Sequence, residues 1–354
     1  MDTEERGQGQ MSNQSKIEWC DHTFNMITGC RHHCDYCYAN RLTARFGGNI
    51  KENLKNPGYR KEGDLFVLEK PFYTENGALI HYPFGFEPTL HLYRKDSLDR
   101  YKGGARIFVG AMADVFGDWV PTHWIDHVFE ACEEHPKNNY LFLTKNPKRY
   151  QLLDLPAGNN WWYGTTITRN AELGRIELLP EKRKCFLSIE PILEELFIPA
   201  EDLMGIDWII IGAETGRRKG KVIPEFKWVK RLVLQADAKG IPVFMKDSMI
   251  PIVGEKNMRR DYPKQLLLRL RGDAREAKET DICAKCKAQY DKNEMVTIIS
   301  RVGRNGVARR IAFMCRDCYE EWTAGLGVDG KAEEIFTMRI PRTRRKKDGG
   351  YMEK

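Results

Sequence analysis

The clearest pattern along the chain is an alternation between short apolar runs and longer segments with helical spacing. Runs such as 107–109 and Trp208–Ile211 are apolar at every position, as expected for strands that are covered on both faces of a parallel sheet. The pattern predicts strands over residues 24–28, 105–111, 140–144, 162–167, 184–189, 207–212 and 241–245. The segments between them predict helices over residues 122–134, 147–153, 170–179 and 225–239.

This alternation predicts an α/β fold over residues 16–250, with the form of a partial or complete TIM-like barrel of six or seven β/α units. A doubly wound open sheet is the main alternative. Residues 50–104 interrupt the rhythm with turn signals such as Pro57-Gly58 and many aromatic residues, which indicates an insertion. Beyond residue 250 the pattern ends, and a linker over 251–280 leads to a second module.

The second module is predicted from two C-x2-C pairs, Cys283 with Cys286 and Cys315 with Cys318. Two strands around Gly303-Arg304-Asn305-Gly306 separate the pairs. Knuckles bridged by a hairpin are typical of a zinc ribbon, in which four thiolates close a structural Zn²⁺ site. We therefore expect a zinc-ribbon-like module over 281–328, with an auxiliary iron-sulfur cluster as the alternative.

Charge and composition indicate the size of the core, the cellular location and the partners to expect. Its 354 residues are 42% hydrophobic, enough for one large core and a small module. Neither a run of about 20 apolar residues nor a secretory pattern occurs, so we expect a cytoplasmic protein without membrane contact. Residues 1–15 are polar, and we expect them to be disordered. The net charge is +7, and the tail 329–354 holds six basic residues within 339–347. Such a tail is expected either to contact nucleic acid or simply to aid solubility.

A third cysteine group lies near the amino terminus, where Cys30, Cys34 and Cys37 form a C-x3-C-x2-C triplet with Tyr36 before its last member. Thiolates hold iron-sulfur clusters, and three of them leave one iron of a four-iron cluster open. Free or zinc-bound cysteines are the alternative. The other three cysteines, Cys20, Cys132 and Cys185, are most simply packing residues, although Cys20 is close enough to be a spare ligand.

The triplet resembles the signature of the radical S-adenosylmethionine (SAM) superfamily. The resemblance implies a [4Fe-4S] cluster on Cys30, Cys34 and Cys37, SAM at the open iron, and Tyr36 beside the cofactor. In that superfamily an electron from the cluster cleaves SAM to methionine and a 5'-deoxyadenosyl radical, which abstracts a hydrogen atom from the substrate. A reductant protein is implied as a partner.

Polar residues follow the predicted strands, where the loops of a β/α barrel open onto one face. We expect this set to contact the cofactor and substrate, with Lys145, Glu190 and Glu214 as candidate catalytic groups and Asp114, Thr166, Glu190 and Glu214 as candidate SAM contacts. The remaining members, which are also explained as surface polar residues, are Thr144, Thr168, Lys246 and Asp247.

Further motifs resemble an uncharacterised, often phage-encoded family that is regarded as related to radical SAM enzymes. They are Ile17-Glu18-Trp19, Thr28-Gly29-Cys30, Leu143-Thr144-Lys145, Leu187-Ser188-Ile189-Glu190-Pro191 and Ile211-Gly212-Ala213-Glu214-Thr215-Gly216. The resemblance covers about residues 17–249 and implies a three-cysteine-motif partner protein, but no reaction. The Gly-Gly-Glu segment that binds the SAM amino group elsewhere in the superfamily is replaced by Gly110-Ala111-Met112-Ala113-Asp114.

The leading hypothesis is a radical SAM enzyme with an unknown substrate. The zinc module and tail suggest nucleic acid or a nucleotide as the substrate class. The first alternative is an iron-sulfur redox or regulatory protein that does not cleave SAM. The second is a zinc-dependent nucleic-acid-binding protein whose triplet also holds Zn²⁺.

Overall fold

The computed structural model describes residues 15–101 and 103–267, together with the backbone of five strands further along the chain. The chain divides into two units, residues 1–273 and 274–354. Several predicted segments lie outside the described residues. They are residues 1–14 of the N-terminal segment, the linker from 268 to 279, the two C-x2-C pairs except the backbone of Cys315, and the tail beyond 338.

The described residues of the first unit form thirteen strands. In chain order they are β1 (His22–Phe24), β2 (Ile27–Thr28), β3 (Arg60–Glu62), β4 (Leu65–Leu68), β5 (Phe72–Tyr73), β6 (Leu79–Ile80), β7 (Thr89–His91), β8 (Arg106–Val109), β9 (Asn139–Thr144), β10 (Trp161–Thr166), β11 (Lys184–Ile189), β12 (Trp208–Ile211) and β13 (Val243–Met245).

The helices of this unit are fewer than its strands. The α-helices are α1 (Tyr38–Phe46), α2 (Ile50–Asn53), α3 (Thr122–Glu133), α4 (Phe226–Lys239), α5 (Ile250–Val253) and α6 (Lys264–Leu267). Short 3-10 helices span Leu92–Leu98, Pro147–Leu152, Asn170–Arg175, Asp247–Met249 and Glu255–Asn257.

Seven parallel strands form the main sheet in the order β1-β8-β9-β10-β11-β12-β13. Every strand therefore lies beside the next strand of the set, with β1 and β13 at the two edges. A doubly wound sheet reverses its order at a switch point, and this sheet does not. The sheet has the order of a partial β/α barrel, so this part of the predicted fold is confirmed and the doubly wound alternative is wrong.

Both faces of this sheet are buried, which explains why its strands are apolar nearly throughout. On one face, Ile107, Phe142 and Ile209 pack with residues of α3 and α4. The other face carries mostly large aromatic side chains and is covered by Trp19 from the segment before β1. Its buried members are Phe108, Leu141, Trp162, Phe186, Trp208, Ile210 and Phe244. Alternation along each strand therefore separates a helix-covered face from an aromatic inner face.

The structure differs from the sequence prediction at the first strand. The predicted strand 24–28 is two strands, because the backbone turns at Asn25, whose side-chain oxygen accepts a hydrogen bond from the N–H of Met112 at 3.0 Å. Strand β1 pairs with β8 in the main sheet, whereas β2 pairs with β7 of a small sheet ordered β2-β7-β4-β3. That small sheet and the pair β5-β6 form the core of the predicted insertion.

Two predicted helices are shorter and tighter than expected. Segments 147–153 and 170–179 form 3-10 helices over Pro147–Leu152 and Asn170–Arg175. Each lies in the connection between two neighbouring strands of the main sheet. Helix α1, directly after the cysteine triplet, was not predicted.

The second unit is described by backbone alone, in strands β14 (Thr280–Ile282), β15 (Gln289–Asp291), β16 (Met295–Val302), β17 (Val307–Cys315) and β18 (Ile335–Met338). The predicted hairpin is present, since β16 pairs antiparallel with β17. Strand β18 pairs antiparallel with the other edge of β16. The expectation of a Zn²⁺ site remains a prediction.

Candidate metal centre

The cysteine triplet begins where β2 ends, beside the carboxyl end of the main sheet. Gly29 has a φ of +89°, and a Cβ atom built there would lie 2.3 Å from the carbonyl oxygen of Glu87. Its N–H donates to the carbonyl of Met112 at 2.9 Å, and the N–H of Cys30 donates to that of Phe86 at 3.1 Å. Only glycine fits this position, where the loop passes between the sheet and the insertion.

The last cysteine of the triplet caps helix α1. The Sγ atom of Cys37 accepts a hydrogen bond from the N–H of Asn40 at 3.5 Å, and its own N–H donates to the carbonyl of Cys34 at 3.0 Å. A helix amino terminus stabilises negative charge. The sulfur of Cys37 therefore lies at the amino terminus of α1 as a hydrogen-bond acceptor.

The three thiols are near enough to influence one another electrostatically. Burial, together with the charges of Asp114, Cys34 and Cys37, raises the pKa of Cys30 to about 12. Burial also raises the pKa of Cys34 against the opposing effects of Lys145 and Tyr36. A cation bound beside these partly accessible thiols would act in the opposite direction and lower the pKa of Cys30 and Cys34.

The donor set, three partly accessible thiols in one loop, is compatible with an iron-sulfur cluster. Within the part of the chain that the structure describes, no three His, Cys, Asp or Glu side chains converge on one point as a lone Zn²⁺ requires. In a cluster each thiolate binds a different iron, so the sulfur atoms need not share a point. All three cysteines are partly accessible and unpaired with each other as disulfides. The residues present therefore suit a cluster with one open iron.

Asp114 is the anchor of the triplet loop. Its buried carboxylate faces Nε2 of His32 at 2.7 Å and accepts hydrogen bonds from Thr144 Oγ1 at 2.6 Å and the N–H of Lys145 at 2.9 Å. The N–H of Phe116 donates to it at 3.1 Å. Burial opposes ionisation, but the hydrogen bonds outweigh it and hold the pKa of Asp114 below its usual value. A carboxylate with this many protein donors acts as a positioning group.

Lys145 lies over the aromatic residue of the triplet. Its Nζ donates to the hydroxyl of Tyr36 at 3.0 Å and is 5.4 Å from the centre of the Tyr36 ring. Glu172 is close enough to act on both, and its carboxylate accepts hydrogen bonds from Thr168 N at 2.6 Å and Thr168 Oγ1 at 2.9 Å. The positive charge of Lys145 is therefore directed at the cysteine loop.

Two hydroxyls lie side by side near the carboxyl end of the inner face. Thr166 of β10 and Ser188 of β11 are register partners, and both are buried. Ser188 follows Phe186 by two residues and so points to the same aromatic face. Gly164, two residues before Thr166 in β10, leaves room for the Phe186 ring. A Cβ atom built on Gly164 would lie 2.5 Å from that ring.

A half-buried ion pair bridges the ends of β11 and β13. Lys246 Nζ donates to Glu190 Oε1, and the two side chains cross Gly212, which follows the strand between them. A Cβ atom at Gly212 would lie 3.0 Å from Cγ of Glu190 and 3.3 Å from Cδ of Lys246. Burial alone lowers the pKa of Lys246, but Glu190 reverses the effect and the pKa is raised.

Glu214 is engaged by its own loop. Arg218 Nε donates to Oε1 at 2.7 Å and Arg218 Nη2 to Oε2 at 2.8 Å, a bidentate pair four residues apart. These hydrogen bonds, against burial, hold the pKa of Glu214 below its usual value. The pair orders the loop after β12 and leaves the carboxylate little capacity for a ligand.

The structure thus brings one group of predicted residues together and separates another. Tyr36, Asp114, Thr144 and Lys145 surround the triplet loop. Asp247 instead turns outward to the N-terminal segment, where its N–H donates to Glu18 Oε2 at 2.7 Å and its carboxylate pairs with Arg260. The proposed roles of all these residues remain predictions.

Cys20, the suggested spare ligand, is buried in the inner-face cluster. Its thiol donates to the hydroxyl of Ser15 at 3.5 Å, and burial raises its pKa to about 11. Cys132 and Cys185 are buried in the helix-covered face. All three surroundings are those of packing residues.

Sequence reasoning missed several residues of this region. His32 stands between two cysteines and was not considered as an anchor, although its position next to the ligands was a usable signal. Ser188 was also missed, although strict alternation from Phe186 assigns it to the inner face. For Glu172 the sequence offers no signal, because its contact with Thr168 depends on the 3-10 helix Asn170–Arg175.

The chain belongs to the family described as protein of unknown function (DUF5131), whose model matches residues 14–265. That match covers the first unit as far as α6. A comparison with curated proteins finds no match.

Comparison with solved structures finds spore photoproduct lyase several times. A cysteine-to-alanine mutant with dinucleoside spore photoproduct is 13% identical, with a TM-score of 0.37 over 88% of this chain and 73% of that chain. A double mutant with bound AdoMet and the same dinucleoside is 12% identical, with a TM-score of 0.37 over 90% of this chain and 75% of that chain. A likeness this distant transfers neither reaction nor ligand to this protein.

Proposed function

We propose that the protein is a radical SAM enzyme in which Cys30, Cys34 and Cys37 hold a [4Fe-4S] cluster. The observation that carries this proposal is the triplet itself, with three accessible thiols in one loop beside the carboxyl end of a seven-stranded parallel sheet. Reactive groups of β/α barrels gather at that end. When bound, the cluster and SAM supply a one-electron reductive cleavage of the SAM sulfonium bond.

The residues around the triplet divide into positioning and contact groups. His32 and Asp114 fix the loop against β8 and β9 through the 2.7 Å contact between Nε2 and Oδ2. Thr166 and Ser188 present adjacent hydroxyls on the inner face, suited to a ribose. Lys145, beside Tyr36, offers a cation near the ligands.

The Glu190–Lys246 pair is the proposed contact with the reacting part of the ligand. Glu190 accepts from Lys246 through Oε1, and among the described residues its other oxygen has no partner. A half-buried carboxylate and ammonium complement the ammonium and carboxylate of an amino acid such as the methionine part of SAM. Glu214 contributes indirectly, since its carboxylate is committed to Arg218.

The first test is cluster assembly. The full-length protein, reconstituted without oxygen with iron and sulfide, is expected to bind about four irons at the triplet and to show a reduced-cluster electron paramagnetic resonance signal that changes on addition of SAM. Cys34→Ala is expected to lose this iron. Cys20→Ala is the matched control, because that thiol is buried in the inner-face cluster and lies outside the triplet.

The outcomes separate the alternatives. A cluster whose signal does not respond to SAM contradicts the proposal and favours a redox or regulatory protein. Zinc in place of iron at the triplet contradicts it and favours a zinc-dependent nucleic-acid-binding protein. Loss of iron in Cys20→Ala as well would make Cys20 a ligand and overturn the ligand set.

A further inference from the structure

Helix α1 starts directly after Cys37 and is almost entirely exposed. Only Ala39 and Thr43 are buried along its length. Tyr38, Leu42 and Phe46 follow one another at four-residue intervals, and their exposures are 45%, 37% and 47%. Residues spaced by four lie on the same side of a helix. The helix beside the candidate metal centre therefore carries a row of large side chains toward solvent, of which the first, Tyr38, is held at its hydroxyl, which donates to the carbonyl of Ala111 at 2.7 Å.

This row is interleaved with cations. Arg41 and Arg45 are exposed on the same helix, which contains no acidic residue. The guanidinium carbon of Arg45 lies 5.3 Å from the centre of the Phe46 ring. Among the described residues no carboxylate pairs with either arginine. We call the exposed side chains of α1, Tyr38, Arg41, Leu42, Arg45 and Phe46, the α1 surface.

Another exposed arginine and aromatic pair shows what is special about this arrangement. Arg231 lies 4.7 Å from the centre of the Phe197 ring, and Phe197 is also exposed. Arg231, however, is paired with Glu195 at 3.3 Å. Its charge is already neutralised within the protein, whereas the charges of the α1 surface are available to a partner.

A second basic segment lies next to the α1 surface. The loop after β12 reads Thr215-Gly-Arg-Arg-Lys-Gly-Lys221 and has no acidic residue. A Cβ atom built on Gly216 would lie 3.6 Å from a guanidinium nitrogen of Arg41, so the loop and helix are in contact. Arg218 is held by Glu214, but Arg217, Lys219 and Lys221 have no acidic hydrogen-bonding partner among the described residues.

We infer that the α1 surface and this loop bind single-stranded nucleic acid. Arginine and lysine side chains contact phosphates, and exposed aromatic rings stack on bases that are not paired. A duplex hides the faces of its bases, so aromatic rings of this kind favour single strands. The inference rests on the proposed function in one respect, namely that a strand bound on α1 would bring a base to the metal centre as a substrate. The binding itself requires no cluster.

The test is a titration of a fluorescently labelled, mixed-sequence DNA strand with the full-length protein, followed by anisotropy over a salt series. Each phosphate contact on a single strand adds about 0.7 to the slope of log K against log salt, so Arg41→Ala/Arg45→Ala is expected to lower the slope by about 1.4. Phe46→Ala is expected to weaken binding about tenfold through lost stacking.

The matched control is the exposed pair formed by Arg231 of α4 and Phe197. Arg231→Ala and Phe197→Ala remove the same side-chain types from a different surface and are expected to leave slope and affinity unchanged. The basic tail is present in every variant, so its contribution to binding cancels. Cross-links from a 5-bromodeoxyuridine strand are expected in peptides that contain Tyr38 or Phe46.

Unchanged affinity and slope in the α1 variants overturns the inference, and so do cross-links that map only elsewhere. If the wild type binds no strand and instead retains an acidic protein that Leu42→Ser releases, the surface is a protein interface and the inference is also wrong. Strand binding without SAM cleavage leaves the inference intact and removes the proposed function. SAM cleavage without strand binding supports the proposed function and overturns the inference.

Discussion

Nε2 of His32 lies 2.7 Å from Oδ2 of Asp114, and this contact joins the cysteine loop to the carboxyl ends of two neighbouring strands. Asp114 follows β8, and Thr144, which donates to its other oxygen at 2.6 Å, ends β9. The loop that carries the three cysteines is thereby held by a buried charge as well as by its own backbone. A cluster ligand set requires such support, because ligand orientation depends on the surrounding hydrogen bonds.

Asp114→Asn is expected to destabilise the protein by about 1–3 kcal/mol, because the amide cannot accept from all the donors that now face the carboxylate. Iron retention after reconstitution should fall with it. The free energy of unfolding, from urea titration, and the iron content check the two effects. Asp118→Asn is the control, since Asp118 is exposed and accepts one hydrogen bond from Asn146 at 2.7 Å. An Asp114→Asn variant as stable as this control would contradict the anchoring role.

The same carboxylate predicts a pH dependence. The pKa of Asp114 is lower when folded than when unfolded, so the unfolded chain binds more protons in acid and the ion contributes stability above the ordinary carboxyl range of about 3.9. This contribution is lost as the pH falls through the lowered pKa. We expect the wild type to lose more unfolding free energy than Asp114→Asn when the pH is lowered from neutrality through this window. Parallel pH profiles for the two proteins would contradict the assignment.

Gly29→Ala is expected to disrupt the triplet loop. The substitution combines a positive φ of +89° with a Cβ atom 2.3 Å from the backbone oxygen of Glu87, which cannot rotate away. Gly63→Ala is the control, because its φ is +63° but nothing lies within 4 Å of the added atom. In the control, the free energy of unfolding should fall only by the cost of the left-handed conformation, about 1–2 kcal/mol. Thermal unfolding and iron content compare the two, and equal losses would contradict the close approach at Gly29.

Glu190→Gln tests the ion pair across Gly212. The change removes the partner of a Lys246 side chain that is 17% exposed, and we expect SAM-dependent product formation to fall about 100-fold, as for loss of a placed electrostatic contact. The matched control is Glu225→Gln, which removes the partner of Lys227 from an ion pair of 3.0 Å that is exposed to solvent. Initial rates at saturating SAM, with SAM affinity measured separately, check the result. A variant as active as the control would remove Glu190 from the site.

The sequence predicted the main sheet because each strand is buried on two faces and is therefore apolar as a continuous run. Six of the seven strands lie within two residues of their predicted ends, for example Lys184–Ile189. The first strand was predicted less well. Its apolar pattern continues across Asn25, and only the hydrogen bond from Met112 reveals that the chain leaves the sheet there.

The site could be predicted only in part, for a related reason. Spacing alone singled out the three cysteines as candidate ligands, since residues close in sequence are close in space. Asp114 was expected at the carboxyl end of the sheet because it follows a strand, but the convergence of His32 and Thr144 on it depends on tertiary packing. The exposure of α1 was equally hidden, because Tyr38, Leu42 and Phe46 have the spacing of a helix that packs on a core.

Membrane association and the partner proteins stand apart from these tests. In the part of the chain that the structure describes, no helix is long and apolar enough to cross a membrane. The cytoplasmic location, the reductant, the three-cysteine-motif partner and the Zn²⁺ at Cys283, Cys286, Cys315 and Cys318 remain predictions.

The central claim is tested most directly by measuring 5'-deoxyadenosine after the anaerobically reconstituted protein is mixed with SAM and dithionite. The proposed function predicts that the wild type and Cys20→Ala release this product and that Cys34→Ala does not. A wild type that carries a full cluster, binds SAM and releases no 5'-deoxyadenosine above the Cys34→Ala background would contradict it.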